Sequence, residues 1–253
     1  MTMKRLSGKV ALVTGAGQGV GQGIATALAV EGARVAVAGR TLAKLDSTCR
    51  DINARGGYAV PVECDVKRLD SLESCVETVV ERLGGLNILV NNAQEVPTGR
   101  LDQVSEDRLE AGWQSGPLAT FRLMKLCYPY LKGDGSIINM ASAAGKRWDA
   151  TGYGCYGAVK EAIRQLTRAA ACEWGKDNIR TNVLLPLAES AGLKGWTAAR
   201  PEEAAAYFST IPMRRVGDCE LDIGRFVVAL CSEECRYVNG QSIGLDGGQA
   251  YLG

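Results

Sequence analysis

Histidine is absent from all 253 residues. That absence excludes every histidine-dependent catalytic triad and the histidine zinc motifs, so acid–base chemistry in this chain has to use tyrosine, lysine, cysteine or a carboxylate. Net charge is nearly absent as well. Against 29 Lys and Arg stand 28 Asp and Glu, a formal +1, which gives no electrostatic case for a nucleic-acid or membrane-surface partner. No apolar run approaches the ~18 residues of a membrane span. The opening Met-Thr-Met-Lys-Arg-Leu-Ser-Gly-Lys lacks the apolar core of a signal peptide, and a cytoplasmic location is expected. Nine cysteines are scattered along the chain without a C-x-x-C, and Cys231 and Cys235 are the nearest pair. They read as small buried hydrophobes in a reducing compartment, with neither a metal site nor a disulfide framework expected.

What is present suits an α/β protein. Apolar residues make up 46% of the chain, enough for a sizeable core in one domain of this length. Residues 9–14 form a short apolar run that ends in Gly15-Ala-Gly-Gln18-Gly19-Val20-Gly21, followed by the helical spacing of Ile24, Ala25, Leu28 and Ala29. Strand, glycine turn and helix in that order bring backbone N–H groups and a helix N-terminus against a phosphate, with glycines allowing close approach of a pyrophosphate. A second strand, 33–38, ends in Gly39-Arg40-Thr41. A carboxylate at the end of this strand would hold the adenosine ribose of NAD. Arg40 can instead pair with a 2′-phosphate, so NADP is favoured and NAD remains the alternative.

The alternation continues. A helix over 42–55 leads to a strand at 59–64 and then Asp65-Val66. A helix over 69–83 leads to a strand at 86–90, ending in Asn91-Asn92-Ala93. The pattern predicts one Rossmann-like doubly wound parallel sheet of about seven strands, with helices on both faces. After 103–112 a helical stretch carries Gly116-Pro117 in its middle, where proline removes a hydrogen bond and should kink the helix. Strand 136–140 delivers Ser142 to the sheet edge where open α/β sheets bind ligands. A helix over 155–174, a strand over 180–185 stopped by Pro186, a helix over 222–231 and a final strand and turn within 240–248 complete the pattern. Residues 187–218 are the least regular and carry a short Ala-rich helix at 201–209, as a substrate lid would.

Tyr156 and Lys160 stand four residues apart near the start of a long helix, so both side chains share a face. Tyr153 lacks such a partner, because Gly157 occupies the position four beyond it. A cation about 4–5 Å from a developing phenolate, at an effective dielectric near 20, is worth roughly 3–4 kcal/mol. The pair is therefore expected to lower the phenol pKa by about 2–3 from its reference near 10 and make Tyr156 a usable proton donor or acceptor.

Taken together, these segments closely resemble the short-chain dehydrogenase/reductase family over nearly the whole chain. Thr14-Gly15-x-x-x-Gly19-x-Gly21 is similar to its cofactor turn, and Asp65-Val66 to its adenine-contacting pair. Asn91-Asn92-Ala93 resembles its Asn-Asn-Ala-Gly segment, Ser142 with Tyr156-x-x-x-Lys160 its catalytic set, and Asp246-Gly247-Gly248 its ending. The resemblance implies hydride transfer between a nicotinamide and a carbonyl or secondary alcohol carbon. In it Tyr156 is the general acid/base and Ser142 hydrogen-bonds the reacting oxygen. Lys160 binds the nicotinamide ribose and lowers the Tyr156 pKa. A homotetramer built on the kinked helix and the Tyr156 helix is the family expectation.

Three positions depart from the family. Gly116 falls where it has a catalytic asparagine, and Gln94 where glycine follows Asn-Asn-Ala. Pro186-Leu187 replaces Pro-Gly, with Ser190 the candidate to take over from the missing threonine that holds the carboxamide. Cofactor contacts are therefore expected from Gly15, Gln18, Gly19, Val20, Gly21, Arg40, Thr41, Asp65, Val66, Asn91, Asn92, Ala93, Tyr156, Lys160, Leu187 and Ser190. Pocket candidates are Glu95, Val96, Lys146, Arg147, Trp148, Glu189 and Trp196; Lys146 and Arg147 would suit an anionic group on a small-molecule substrate. The leading expectation is an NADP(H)-dependent carbonyl reductase/alcohol dehydrogenase. An NAD(H)-dependent alcohol dehydrogenase and a catalytically weakened nucleotide-binding sensor or scaffold are its rivals.

Overall fold

Every residue of β1 (Val10–Thr14) is buried, because both faces of this strand are covered. Alternate side chains go to opposite faces. Ala11 and Val13 join one core, and Val10 and Leu12 the other. Such uninterrupted apolar runs mark strands of a parallel sheet layered between helices. The computed structural model describes residues 4–146 and 150–250. Around β1 lie α1 (Gly19–Val30), β2 (Arg34–Gly39), α2 (Leu42–Ala54), β3 (Tyr58–Glu63), α3 (Leu69–Leu83) and β4 (Ile88–Asn91). The chain continues with α4 (Glu106–Trp113), α5 (Ala119–Leu131), β5 (Gly135–Met140), α6 (Gly154–Trp174) and β6 (Ile179–Pro186). It closes with α7 (Ala191–Ala199), α8 (Pro201–Ser209), α9 (Arg225–Cys231) and β7 (Ser242–Leu245).

The seven strands are all parallel, in the order β3-β2-β1-β4-β5-β6-β7. Strand order therefore reverses direction between β1 and β4, and their carboxyl ends open the crevice in which such sheets bind ligands. Leu28 of α1, Leu45 and Ile52 of α2, and Val227 and Val228 of α9 pack on one face. Leu72, Val76 and Val79 of α3, with Leu123, Met124 and Leu131 of α5, pack on the other. Burying each such aliphatic side chain stabilises by about 1.5–3 kcal/mol.

Most element boundaries fall within two residues of the sequence expectation. Two differences have physical causes. Pro117 does not interrupt the helix; the backbone widens there into a π turn, Gln114–Leu118, between α4 and α5, which accommodates the residue that cannot donate a hydrogen bond. A second π turn, Cys219–Gly224, precedes α9 where an ordinary helical start at 222 is expected. Its capping residue is Asp218, whose carboxylate accepts from the N–H groups of Glu220 and Leu221. This turn packs tightly on α1: a β-carbon on Gly23 would lie 2.7 Å from Cys219 Cβ, and one on Gly224 2.6 Å from the Gly23 carbonyl.

The outer edge of β3 is closed by side chains. Asn53 accepts from the Ala59 N–H at 2.9 Å and donates to its carbonyl at 3.3 Å. Pro61 has no N–H, and its carbonyl accepts from Arg82 Nη1 at 3.0 Å. Six of the nine cysteines are buried, as the reading of them as small hydrophobes expects, but Cys172 is exposed and Cys219 and Cys235 are half-buried. Among the described residues no helix is long and apolar enough to cross a membrane, and no cluster of His, Cys, Asp or Glu could hold a metal.

Candidate active site

A cleft of about 530 Å³ runs along the carboxyl ends of the strands, from the turn after β2 to Tyr156 on α6. One wall is the turn after β1. Gly15 and Gly19 hold φ of +64° and +58°, the left-handed region that glycine enters without cost. A β-carbon on Gly15 would approach Ala93 Cα to 2.9 Å. No side chain caps the N-terminus of α1, and no acidic residue lies in its first turn. Its free N–H groups and positive dipole end therefore suit a phosphate.

Gly15, Gln18, Gly19 and Val20 line the cleft, as do Arg40, Thr41, Asp65, Val66, Asn92, Ala93, Tyr156 and Ser190. Four expected contacts are not part of the cleft wall, Lys160 among them. Gly21 packs against the turn itself, since a β-carbon there would come within 2.5 Å of Asn92 Nδ2 and the Gly15 carbonyl. Asn91 is 7% exposed and donates to Asn139 Oδ1 at 2.8 Å inside the sheet. Leu187 donates its N–H to the Leu245 carbonyl at 2.9 Å, and its side chain is not part of the cleft wall. Asn92 laces the strand ends together through Thr14. Thr14 Oγ1 accepts from the N–H groups of Asn92 and Ala93 at 3.0 and 3.1 Å, and Asn92 Nδ2 donates to the Thr14 carbonyl at 2.9 Å.

Around the end of β2 the cleft is basic. Arg40, Lys44 and Lys67 all line it. Lys44 donates to Gln18 Oε1 at 2.7 Å. Arg40 and Lys67 both reach Glu95 Oε1 at 3.0 Å, and Glu95 lines the same cleft. Lys44 is a local neighbour, four residues after Arg40 in the first turn of α2, whereas Lys67 arrives only through the fold.

At the other end, Ser142 follows β5 and caps a short turn, its Oγ accepting from the Ala144 N–H at 3.2 Å. Its hydroxyl also acts on the Tyr156 phenol, pulling that group's pKa down. Lys160 is 3% exposed and donates to the Met140 carbonyl at 2.7 Å, with its ammonium 5.5 Å from the Tyr156 ring centre. The expected lowering of the Tyr156 pKa is not observed. Desolvation pushes it up to about 12, the Ser142 hydroxyl pulls it down less, and Tyr153 raises it slightly. Burial lowers Lys160 to about 7. The physical reason is that desolvation disfavours the charged form of both groups. A lysine poised near neutrality is also a weaker source of positive charge than an always-protonated one.

Ser190 Oγ caps α7 by accepting from the Leu193 N–H at 3.2 Å, which leaves its hydroxyl hydrogen for another acceptor. Val96 lines the cleft. Lys146 is exposed, and Glu189 pairs with Lys194 at 3.0 Å. Trp196 packs edge-on against Tyr207 and Phe208 of α8. Arg147 and Trp148 lie outside the described residues.

The glycine turn and the uncapped helix end fit the pyrophosphate of a nicotinamide dinucleotide. The sequence matches the family described as enoyl-(acyl carrier protein) reductase over residues 15–250. It is 42% identical to a 12alpha-hydroxysteroid dehydrogenase from Clostridium sp., over 95% of this chain and 96% of that one. With a tropinone reductase homolog from Arabidopsis thaliana it shares 37% identity, over 98% and 92% of the two chains. Among solved structures, a short chain dehydrogenase from Burkholderia cenocepacia J2315 in complex with NADP superposes with a TM-score of 0.89 at 30% identity, over 97% of this chain and 99% of that one. Fold, cleft and similarity along the full length agree: the chain belongs to the short-chain dehydrogenase/reductase family of oxidoreductases.

Proposed function

We propose that the protein is an NADP(H)-dependent oxidoreductase that interconverts a carbonyl and a secondary alcohol, with Tyr156 as its proton donor. The observation that carries this reading is the junction at the inner end of the cleft. Tyr156 lines the same cleft as the glycine turn, has its pKa pulled down by the Ser142 hydroxyl, and stands beside Lys160. The nicotinamide, when bound, supplies or takes up the hydride.

The chain's own residues do the rest. Ser142 and Tyr156 present two hydroxyls to one substrate oxygen, which fixes its position before any proton moves. The phenol is protonated at neutral pH, and in the reductive direction it gives that proton to the carbonyl oxygen. Charge on Lys160, next to the ring, stabilises the phenolate left behind. Gly15, Gln18, Gly19 and Val20 hold the pyrophosphate, and Asp65, Val66 and Ala93 the adenine. Arg40 and Lys44 hold a 2′-phosphate. Ser190 donates to the nicotinamide carboxamide.

The 42% identity with a hydroxysteroid dehydrogenase supports a bulky alicyclic ketone or alcohol as the substrate class, with residues 187–218 as the lid over it. Leu109 and Trp113 lie one turn apart on α4 and are 38% and 45% exposed, and Phe121 on α5 is 42% exposed. We assign this apolar face to contacts within a homo-oligomer, which light scattering of the purified protein tests.

Fluorescence titration with NADPH and NADH, followed by turnover on steroid and other cyclic ketones, tests the reading. Tighter binding of NADPH and reduction of a cyclic ketone support it. Binding of neither nucleotide, or tight binding without turnover across the panel, removes it.

A further inference from the structure

Gln94, in the loop after β4, and Gly116, in the π turn between α4 and α5, occupy one space. A β-carbon on Gly116 would collide with Gln94 Oε1, lie 3.0 Å from Gln94 Nε2, and lie 2.9 Å from Val159 Cγ1 on α6. The carboxamide of Gln94 therefore fills the volume that any side chain at 116 would need.

Its orientation is fixed by chemistry. Gln94 Nε2 stands 2.7 Å from the Glu95 carbonyl, 2.9 Å from the Gly112 carbonyl and 3.3 Å from Ser115 Oγ. Two of these neighbours are pure acceptors, so the amide nitrogen must face them; the opposite flip would set oxygen against oxygen. Oε1 is thereby turned towards Gly116 and Val159. It is fully buried and has no hydrogen-bond partner among the described residues. A buried acceptor left in that condition costs free energy, and such a group in a native site calls for a reason.

The reason lies in what the side chain joins. Through Nε2 it ties the loop after β4 to the last turn of α4. Ser115 Oγ strengthens the tie by accepting from the Glu95 N–H at 2.9 Å while donating to the Ala111 carbonyl at 2.7 Å. Pro97 of the same loop is wedged against Gly112, where a β-carbon would lie 2.6 Å from Pro97 Cγ. On its far side the π turn meets α6 at Val159, the residue before Lys160. Gln94 also lines the cleft, with Ser115 and Tyr156. One side chain thus ties the cleft floor to the π turn, and the π turn packs in turn on the helix that carries Tyr156.

We propose that Gln94 is a positioning residue that sets the spacing between the dinucleotide floor and the Tyr156–Lys160 helix, and that Gly116 is glycine because this carboxamide needs its room. The proposal rests on the reading of the site as a reductase. It makes positions 94 and 116 a reciprocal pair: a carboxamide can come from either side, but not from both.

The test is a double-mutant cycle read in ketone reduction, NADPH binding and thermal unfolding. Gln94→Met keeps the bulk and removes the hydrogen bonds. It is expected to lower kcat at least tenfold while NADPH affinity changes less than threefold. Gly116→Asn alone is expected to lower both kcat and Tm. Adding Gln94→Gly to it is expected to recover most of both losses, because the carboxamide then enters the same space from the helix. Wild-type kcat in Gln94→Met reduces Gln94 to a space filler and overturns the positioning role. Additive effects of Gly116→Asn and Gln94→Gly overturn the reciprocal pair. If the wild type binds NADPH but reduces no ketone, the reductase reading fails by itself, and the Tm cycle still decides the pair.

Discussion

Arg40 and Lys67, 27 positions apart in the chain, place their charged nitrogens 3.0 Å from one oxygen, Glu95 Oε1. The carboxylate occupies the position of an anionic ligand between two cations that line the cofactor cleft. Arg40 is 60% exposed and Glu95 34%, and exposed ion pairs of this kind are worth about 0.2–1 kcal/mol. A 2′-phosphate bound there would carry more charge and would displace it. Glu95→Gln should therefore tighten NADPH up to about fivefold and leave NADH nearly unchanged, by the usual conversion of 1.4 kcal/mol per decade. Arg40→Ala should erase a preference for NADPH of about tenfold. Parallel fluorescence titrations of the three proteins check both, and a Glu95→Gln protein that binds NADPH more weakly would show that the carboxylate supports the cofactor.

Removing the Tyr156 hydroxyl should separate chemistry from binding. Positioned proton transfer contributes about 10²–10⁴ in rate. Tyr156→Phe should lose turnover by that factor and keep NADPH affinity within about twofold, because the ring still fills its place on α6. Steady-state rates and nucleotide titration on the same preparation measure the two together.

Lys160 gives the fold a pH dependence of defined sign. Its folded pKa is lowered from 10.5 to about 7 by burial, so between those values the unfolded chain binds more protons than the folded one. Stability then rises with pH across that window. Tyr156, raised from 10 to about 12, acts in the opposite sense: the folded chain holds the extra proton, and stability falls from about pH 10 to 12. Lys160→Met should flatten the rise between about pH 7 and 10 in thermal melts. An unchanged slope in that variant would assign the titration to another group.

Gly23→Ala should be costly although it touches no ligand. The new β-carbon would lie 2.7 Å from Cys219 Cβ and press on the backbone of the π turn. Overpacking of this sort costs about 1–3 kcal/mol, or about 2–4 °C in Tm per kcal/mol at this size. Urea and thermal unfolding against the wild type measure it.

The sequence carried much of the architecture in plain form. Runs such as Val10–Thr14 and the glycine turn after them announce strand and phosphate site together, because a fully buried parallel strand must be continuously apolar. The site was legible where one element suffices: Tyr156 and Lys160 share a helix face whatever surrounds them. What depended on packing was not. Helical spacing brings Lys160 to Tyr156 but cannot say how much water either keeps, and desolvation reversed the expected shift. Lys67 joins Arg40 only after β3 has docked beside β2. Gln94 and Gly116 read as two separate departures from a family pattern, 22 positions apart, until one is seen filling the space of the other.

The closed outer edge of β3 bears on how the protein behaves when crowded. An edge strand normally offers a ladder of free N–H and C=O groups to any other strand, and that is the usual route to ordered aggregates. Here both groups of Ala59 are taken by Asn53, Pro61 has no N–H to offer, and its carbonyl is held by Arg82. A neighbouring molecule finds the backbone of Ala59 and Pro61 already taken on that side. Release of those two side chains, by Asn53→Ala or Arg82→Ala, would leave catalysis alone and shorten the time for which concentrated solutions stay clear.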